Sequence, residues 1–214
     1  MTAAAAPALQ EPYDVVILGG GSGGYACALR AAQLGLRVAL IEKDKLGGTC
    51  LHRGCIPTKA LLHAAEVADT AREGAKFGVN SHVESIDMER VRRYQDGVVS
   101  RLHKGLQGLV SAASIDYITG EGAVTSPTTV QVGDLTISGK TLVLATGSQP
   151  RILPGLSLGP RIMTSDEALR LTHVPASVVV LGGGVIGVEF ASVFASFGAS
   201  VTVVEALPRL VPAE

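Results

Sequence analysis

A glycine-rich pattern that occurs twice, at a constant separation, constrains the fold of this chain more than any other feature. Gly19, Gly21 and Gly24 are followed by Glu42, and the same residue types recur 163 positions later. The second set consists of Gly182, Gly184, Gly187 and Glu205. In both copies an apolar segment precedes the first glycine, a helix-forming segment follows the last one, and the acid stands 23 positions after the first glycine. The pattern therefore predicts two strand–helix–strand units.

The spacing within each copy matches the requirements of dinucleotide binding. A Gly-x-Gly-x-x-Gly pattern alone is weak evidence for a dinucleotide site. Here it follows a predicted strand, begins a predicted helix and is followed by an acidic residue at the required spacing. The first glycine permits a tight turn, the second lets the backbone approach a pyrophosphate, and the third allows the helix to pack closely on the strand. The phosphates would lie at the helix N-terminus, and the acid would accept hydrogen bonds from a ribose.

The two units predict an α/β chain that is organised in four parts. These are a disordered tail over residues 1–12, a first domain over residues 13–150, a connection over residues 151–175, and the start of a second domain over residues 176–214. Only nine residues follow Glu205, so we expect the second domain to be incomplete.

Short β-rich pieces between Ile115 and Ala145 predict a small antiparallel meander at the end of the first domain. Glycine- or proline-containing breaks separate these pieces, at Gly120, Gly122, Ser126-Pro127, Gly133-Asp134 and Gly139.

Composition excludes several classes of function. A net charge of −1 and a pI near 6.5 indicate no basic surface for nucleic acid. No apolar run approaches the roughly 18 residues that a membrane span needs, and the first residues lack the Lys or Arg of a signal peptide. We therefore expect a cytoplasmic protein without a membrane segment. The 26 glycines against four Phe, four Tyr and no Trp are typical of a fold whose backbone approaches a ligand.

Cys50 and Cys55 form a close pair directly after the first strand–helix–strand unit. On a regular helix their Cα atoms would lie roughly 8 to 9 Å apart, beyond the usual reach of a disulfide. The segment must bend to join them, and Gly47, Gly48 and Gly54 allow such a bend. In a cytoplasmic chain this pair favours a redox role.

Zinc binding is the competing interpretation of the cysteines. Structural zinc sites usually need four ligands. Cys27, His52 and His63 fall at no recognised ligand spacing relative to the pair, so we predict no metal site. Cys27 itself is predicted to be a small, buried thiol in the first helix.

The run from Gly47 to Lys59 resembles the redox-active segment of the flavoprotein disulfide reductases, and of dihydrolipoamide dehydrogenases in particular. Thr141 to Arg151 is similar to the family strand whose Ala-Thr-Gly ends the first passage through the FAD domain. The resemblance extends from about Tyr13 to Pro208. It implies an FAD-binding Rossmann-like domain with an antiparallel meander, followed by a truncated NAD-binding Rossmann-like domain.

The resemblance also implies the cofactor contacts. The first repeat would hold FAD, with its glycines at the pyrophosphate and Glu42 at the adenosine ribose, and the second repeat would hold NAD. The further residues implied to contact a cofactor are Lys43, Gly48, Thr49, Cys50, Lys59, Gly122, Thr146, Gly147, Ser148 and Glu189.

The resemblance assigns roles in catalysis as well. Cys50 would form the mixed disulfide with dihydrolipoamide, and Cys55 would lie against the flavin and pass electrons to it. Lys59 stands four positions after Cys55, hence on the same side of a helix. In the family this lysine pairs with a glutamate, here Glu189; the alternative for Lys59 is a solvated helix charge.

The implied reaction is the oxidation of dihydrolipoamide to lipoamide with NAD as the final acceptor. Glu205 would repel a 2′-phosphate, which favours NAD over NADP, although the nearby Arg209 weakens that exclusion. The implied partners are the lipoyl-bearing acyltransferase subunit of a 2-oxo acid dehydrogenase complex and a second copy of the full-length chain.

Two alternatives stay open. His52 and Arg53 depart from the Asn and small apolar residue that many family members have between the cysteines, so the substrate could instead be that of a glutathione-, mycothiol- or mercuric-reductase-like enzyme. Family members continue through further domains that supply an acid–base pair for thiol chemistry. We therefore expect this chain alone to be an incomplete enzyme or a non-catalytic FAD-binding fragment.

Overall fold

The computed structural model describes residues 12–211, which form two compact units. The first unit comprises residues 12–48 and 103–147, and the second comprises residues 49–102 and 148–211. The tail predicted over residues 1–12 lies, apart from Pro12, outside the described residues. The domain boundary near residue 150 stays a prediction.

The first unit contains a six-stranded sheet. Its elements are β1 (Tyr13–Leu18), α1 (Ser22–Gln33), β2 (Val38–Glu42), β3 (Asp116–Thr119), β4 (Gly122–Ser126), β5 (Thr129–Val132) and β6 (Leu135–Leu144). The strand order is β3-β2-β1-β6-β5-β4. Strands β3, β2, β1 and β6 pair in parallel, while β6, β5 and β4 pair antiparallel. The predicted α/β class is thereby confirmed.

The central strands of this sheet are almost continuous apolar runs, as expected for parallel strands covered on both faces. Val16, Ile17, Leu40 and Ile41 are fully buried. Because β1 and β2 end in register, Leu18 opposite Ile41, the glycine turn and the acid of the first repeat leave the sheet at the same edge.

The predicted meander is correct for β4 and β5 but wrong for β3. Strand β3 pairs in parallel with β2, so it extends the main sheet. Gly139 was expected to end a strand, yet it lies inside β6, where pairing changes from β5 to β1. A Cβ there would lie 2.7 Å from Val16 Cγ2, so glycine lets the two strands approach at this change of partner.

The second unit contains one further strand–helix–strand and the helices around the cysteines. Its elements are α2 (Gly48–Arg53), α3 (Cys55–Glu73), a 3₁₀ turn (Gly74–Phe77), α4 (Met88–Ala112), α5 (Ser165–Ala168), β7 (Ser177–Leu181), α6 (Val185–Phe197) and β8 (Ser200–Val204). Along the sequence, α2 begins in the first unit and α4 ends in it. Strands β7 and β8 pair in parallel.

The core of the second unit lies between α3 and α6. Leu61 and Ala65 of α3 pack with Phe190, Val193 and Phe194 of α6, and all five are buried. The rings of Phe190 and Phe194 stack with centroids 6.1 Å apart. Each buried Phe side chain contributes about 1.5–3 kcal/mol relative to an exposed one, so this contact holds α3 firmly on α6.

Within residues 12–211, none of the helices has both the length and the apolar character required to cross a membrane.

Candidate functional site

The first glycine turn has a geometry that only glycine can adopt. Gly19 follows β1 with φ at +109°, and a Cβ on it would lie 2.1 Å from the Ala145 carbonyl oxygen. A Cβ on Gly24 would lie 1.7 Å from the Gly19 carbonyl oxygen. Both glycines therefore let α1 begin directly against the sheet edge.

The second turn reproduces this geometry. Gly182 has φ at +104°, and a Cβ on Gly187 would lie 2.0 Å from the Gly182 carbonyl oxygen. The helix N-caps also agree: φ and ψ are −70° and −173° at Gly21, and −74° and 179° at Gly184. The two repeats are therefore alike in backbone conformation as well as in sequence.

Each repeat holds its acid against the glycine turn. Glu42 accepts hydrogen bonds from the backbone N–H groups of Gly20, at 2.7 Å, and Asp44, at 2.8 Å. Glu205 accepts from Gly183 at 2.6 Å and from Leu207 at 2.8 Å. The Leu207 and Gly183 N–H groups lower the pKa of Glu205, which keeps the carboxylate ionised.

Sequence reasoning missed Gly20 and Gly183, whose N–H groups orient the acids. The signal was present, because both turns contain three consecutive glycines and these two residues are also 163 positions apart.

These features fit a dinucleotide at each turn. The N-cap residues of α1 and α6, Gly21 and Gly184, provide no side-chain cap for the first-turn N–H groups, which have no intrahelical partner. Space is open beside the turns, since a Cβ on Gly23 or Gly184 would have no atom within 4 Å. Helix N-termini with this freedom bind phosphates, and the adjacent carboxylates can accept from ribose hydroxyls.

Several residues implied to contact FAD surround the first turn. Gly48 packs on Gly21, where a Cβ would lie 2.6 Å from the Gly21 Cα. Gly122 packs on the end of β1, where a Cβ would lie 2.5 Å from Leu18 Cδ1. Thr146 and Gly147 follow directly after Ala145 at the same edge.

Lys43, also implied to contact FAD, pairs with Glu121 at 3.2 Å on the surface of the first unit. Thr49 and Ser148, the remaining residues of that predicted set outside the cysteine segment, belong to the second unit.

The cysteine pair lies at a break between two helices. Helix α2 ends at Arg53, Gly54 has φ −143° and ψ −116°, and α3 begins at Cys55. A Cβ on Gly54 would lie 3.1 Å from the Thr49 carbonyl oxygen, so glycine allows the chain to fold back on α2. The structure thus contains the bend that the spacing of the cysteines requires.

Buried residues fix the start of α3. Pro57 and Thr58 are buried, and Thr58 Oγ1 donates to the Gly54 carbonyl at 2.7 Å. Pro57 is tolerated because the N–H groups of the first helical turn have no intrahelical partner. Cys55 is therefore held at the first position of a rigid helix, where the helix N-terminus attracts negative charge.

Cys50 and Cys55 are free thiols in hydrogen-bond contact, with Cys50 half-buried and Cys55 exposed. Burial raises the pKa of the Cys50 thiol, and the hydrogen bond and negative charge of Cys55 raise it further. The backbone N–H of Cys55 and, to a smaller extent, the positive charge of Lys59 lower this pKa. Lys59 is thus the charged side chain of this site that favours the Cys50 thiolate.

Lys59 forms an ion pair and hydrogen bond with Glu189 of α6. The Lys59 side chain is 58% exposed and that of Glu189 is 20% exposed, so solvent screens the lysine more than the carboxylate. The pair joins the N-terminal part of α3 to the helix of the second repeat, and it is the pairing that the resemblance implies.

Cys27 lies in α1, in the first unit, whereas Cys50 and Cys55 belong to the second unit. No group of three or more His, Cys, Asp or Glu side chains within residues 12–211 is arranged to hold a metal ion.

An anchor for the peptide between the cysteines was not predicted. Arg53 Nε lies 4.0 Å from Asp166 Oδ2, and Asp166 stands in the first turn of α5. Thr164 caps that helix, and the Thr164 backbone N–H donates a hydrogen bond to the Glu167 carboxylate. No sequence pattern could reveal the Arg53–Asp166 contact, because the two residues are far apart in the chain.

Comparisons with known proteins agree with this geometry. Residues 13–214 match the family described as pyridine nucleotide-disulphide oxidoreductase. The dihydrolipoyl dehydrogenase of Bacillus subtilis (strain 168) is 48% identical, over 94% of this chain and 46% of its own length. That of Chlorobaculum parvum is 44% identical, over 94% of this chain and 44% of its own length.

Among solved structures, the HOCl-induced flavoprotein disulfide reductase RclA from Escherichia coli is similar, with a TM-score of 0.80 and 35% identity. The match covers 94% of this chain and 44% of that one. The chain therefore spans less than half the length of each of these three proteins.

Adjacent glycines at the start of α1 provide a test of the turn geometry. We expect Gly24→Ala to lower the free energy of unfolding by at least about 2 kcal/mol, because the new Cβ would overlap the Gly19 carbonyl. Gly23→Ala should be neutral or raise it by up to about 1 kcal/mol, since its Cβ meets open space in a helix. Urea unfolding followed by far-UV circular dichroism measures both; equal effects would contradict the packing.

The charge of Lys59 provides a test of the thiol environment. We expect Lys59→Gln to move the pH midpoint of Cys50 alkylation upward, because loss of the positive charge destabilises the thiolate and raises the pKa further. Lys59→Arg, which keeps the charge, should leave the midpoint near that of the wild type. Mass-spectrometric alkylation rates at Cys50 across pH give the midpoints. An unchanged midpoint in Lys59→Gln would show that the lysine does not act on this thiol.

Proposed function

The chain belongs to the pyridine nucleotide-disulphide oxidoreductase family, and from that premise we propose that it oxidises dihydrolipoyl groups to lipoyl groups through Cys50 and Cys55, with FAD and NAD as cofactors. The observation on which the proposal rests most is the contact of these two thiols across the break at Gly54. The names of the relatives, dihydrolipoyl dehydrogenases, support the choice of substrate. Because the chain spans less than half of those relatives, the proposal concerns the activity of the protein to which this segment corresponds.

The proposed chemistry begins with the two cysteines joined as a disulfide. A thiolate of the dihydrolipoyl group attacks the Cys50 sulfur, the Cys50–Cys55 bond breaks, and Cys55 leaves as a thiolate. The second substrate thiolate then attacks the substrate sulfur of the mixed disulfide and releases Cys50. The substrate leaves as a cyclic disulfide, and the protein retains two electrons as a dithiol.

The position of Cys55 suits its role as the leaving group. Its sulfur belongs to the first residue of α3, at the positive end of the helix dipole. Burial is the largest cause that raises the pKa of the Cys50 thiol, and the nearby charge of Lys59 reduces this effect without reversing it. The two thiols therefore differ in electrostatic environment.

Each glycine repeat would hold one cofactor. Gly19, Gly21 and Gly24 would approach the FAD pyrophosphate, and Glu42 would accept from its ribose; Gly182, Gly184, Gly187 and Glu205 would do the same for NAD. When bound, FAD supplies a two-electron acceptor for the dithiol and a donor to NAD⁺. The net reaction converts a dihydrolipoyl group and NAD⁺ to a lipoyl group, NADH and a proton.

Lys59 and Glu189 link these functions in the proposal. Lys59 lies one helical turn from Cys55 and acts electrostatically on Cys50, while Glu189 stands just after the glycines of the second repeat. The other cofactor contacts stay predictions. They are the contact of Glu189 with a cofactor and the contacts with FAD of Lys59, Lys43, Gly48, Thr49, Cys50, Gly122, Thr146, Gly147 and Ser148.

The physiological partner is a further part of the proposal. In the proposal, a lipoyl-bearing acyltransferase subunit of a 2-oxo acid dehydrogenase complex presents the substrate; the names of the relatives support the dihydrolipoyl group itself. A cytoplasmic location and a homodimer of the full-length protein stay predictions.

A second candidate is reduction or oxidation of another disulfide substrate. The similarity to the flavoprotein disulfide reductase RclA supports this second candidate function. His52 and Arg53 stand between the cysteines, and these two residues would determine such a difference in substrate preference.

Thiol counting tests the proposed exchange. After mild oxidation we expect the number of titratable thiols to fall from three to one, and excess dihydrolipoamide should restore three. In the matched control Cys27→Ser, the number of titratable thiols should be zero after oxidation and two after dihydrolipoamide is added. Cys50→Ser and Cys55→Ser should form no intramolecular disulfide. A thiol-reactive chromogen under denaturing conditions gives the counts. Restoration by glutathione but not by dihydrolipoamide would favour the second candidate instead.

Nucleotide selectivity tests the role of Glu205. We expect NADH to bind at least about tenfold more tightly than NADPH, because the ionised carboxylate repels a 2′-phosphate. Glu205→Gln should narrow that ratio, mainly by improving NADPH binding. Fluorescence titration of both nucleotides measures it. If Glu205→Gln weakened the binding of NADH and of NADPH equally, the result would indicate a structural defect and would contradict the charge-based selectivity.

A further inference from the structure

A pocket of about 250 Å³ lies beside the peptide between the two cysteines, and the proposed reaction assigns it no role. His52 and Arg53 form one wall of the pocket. Helix α4 and the segment that includes α5 form the others, and all of these residues belong to the second unit.

Charged groups of both signs line this pocket, with arginine in excess. Arg53 is offset by Asp166, from which it is separated by 4.0 Å. Arg92 and Arg170 also line it, against one further acid, Asp96. Counting His52 as neutral, three guanidinium groups therefore face two carboxylates.

Neither Arg92 nor Arg170 forms a salt bridge or a side-chain hydrogen bond with any residue between 12 and 211. A weaker electrostatic attraction relates Arg170 to Glu167 at the surface. Guanidinium groups present planar pairs of donors that match carboxylate and phosphate oxygens. Two such groups are thus available at one pocket.

Gln95 is the most informative residue of the pocket. It is only 6% exposed, and its side-chain amide has no hydrogen bond to any other residue of the described chain. A fully buried amide without a hydrogen-bond partner is destabilising. Since no fully enclosed side-chain nitrogen or oxygen within residues 12–211 lacks a partner, the Gln95 amide must reach the pocket itself.

We propose that this pocket binds a small oxoanion, the carboxylate or phosphate group of a small molecule. Arg92 and Arg170 would pair with its oxygens, and the Gln95 amide would donate a hydrogen bond to it. Leu169, which is buried and lines the same pocket, offers an apolar contact for the carbon part of such a ligand. The excess of guanidinium groups makes a cation an unsuitable occupant.

The position of the pocket relates it to the redox segment. Arg53 and His52 stand between Cys50 and Cys55, so a bound anion would lie against the peptide that joins the thiols. It would also compete with Asp166 for Arg53, the contact that anchors this peptide to α5. The site is nevertheless separate from the thiol exchange, which uses neither Arg92, Arg170 nor Gln95.

Calorimetric titration of the full chain with inorganic phosphate and with succinate, at constant ionic strength, tests the proposal. We expect saturable binding at one site, with a dissociation constant on the order of 1 mM. The double variant R92Q/R170Q should weaken it at least about tenfold, because both guanidinium partners are removed. Gln95→Met, which keeps the volume and removes the amide, should weaken binding while the protein stays folded.

The matched control is R90Q/R93Q. Arg90 and Arg93 lie on α4, as Arg92 does, and the double variant makes the same change in net charge, but they pair with Asp87 and Glu89 away from the pocket. Binding should change less than about twofold, since exposed pairs of this kind contribute little. Binding of phosphate only, or of succinate only, would identify which oxoanion the site accepts.

Two results would overturn the proposal. One is the absence of saturable binding for both probes, and the other is an equal loss of binding in R92Q/R170Q and R90Q/R93Q, which would indicate diffuse surface charge. Because thiol exchange with dihydrolipoamide is measured separately, either result would leave the proposed function untouched, and failure of that exchange would leave this site untouched.

Discussion

The packing of α3 on α6 is the interaction on which the candidate redox site depends. Phe190, Val193 and Phe194 form the apolar contact that fixes the two helices, and the first turn of α3 bears Cys55. Because α6 is also the helix of the second glycine repeat, one core holds both the thiol pair and the predicted NAD turn in the same compact unit. A polar link alone could not do this, since an exposed ion pair such as Lys59–Glu189 contributes little stability.

The two glycine repeats have the same backbone conformation. In each, a Cβ on the third glycine would overlap the carbonyl oxygen of the first, so the helix can begin this close to the strand only without a side chain there. The acid then accepts the N–H of the middle glycine, at 2.7 Å for Glu42 and 2.6 Å for Glu205. The carboxylate is thus oriented before any ligand binds, and its remaining lone pairs are available to ribose hydroxyls. Preorganisation of this kind lowers the entropic cost of binding.

Local features of the sequence predicted most of this architecture. The strand, glycine turn and helix of each repeat follow from residues close together in the chain, and the bend at Gly54 follows from the reach of a disulfide. The parallel pairing of β3 with β2 could not be read in this way, because a short β-rich piece does not reveal its partner. The contact of Arg53 with Asp166 and the pocket beside Gln95 also depend on segments far apart in sequence, which periodicity and spacing cannot relate.

The electrostatics around Cys50 connect the thiol pair to the second repeat. Burial and the Cys55 side chain disfavour the Cys50 thiolate, whereas the Cys55 backbone N–H and the charge of Lys59 favour it. The influence of Lys59 is in turn reduced by Glu189, whose carboxylate neutralises part of its charge. Lys59 therefore pairs with the second repeat through Glu189 and acts on the thiol pair through its charge, and both interactions lie within one packed unit.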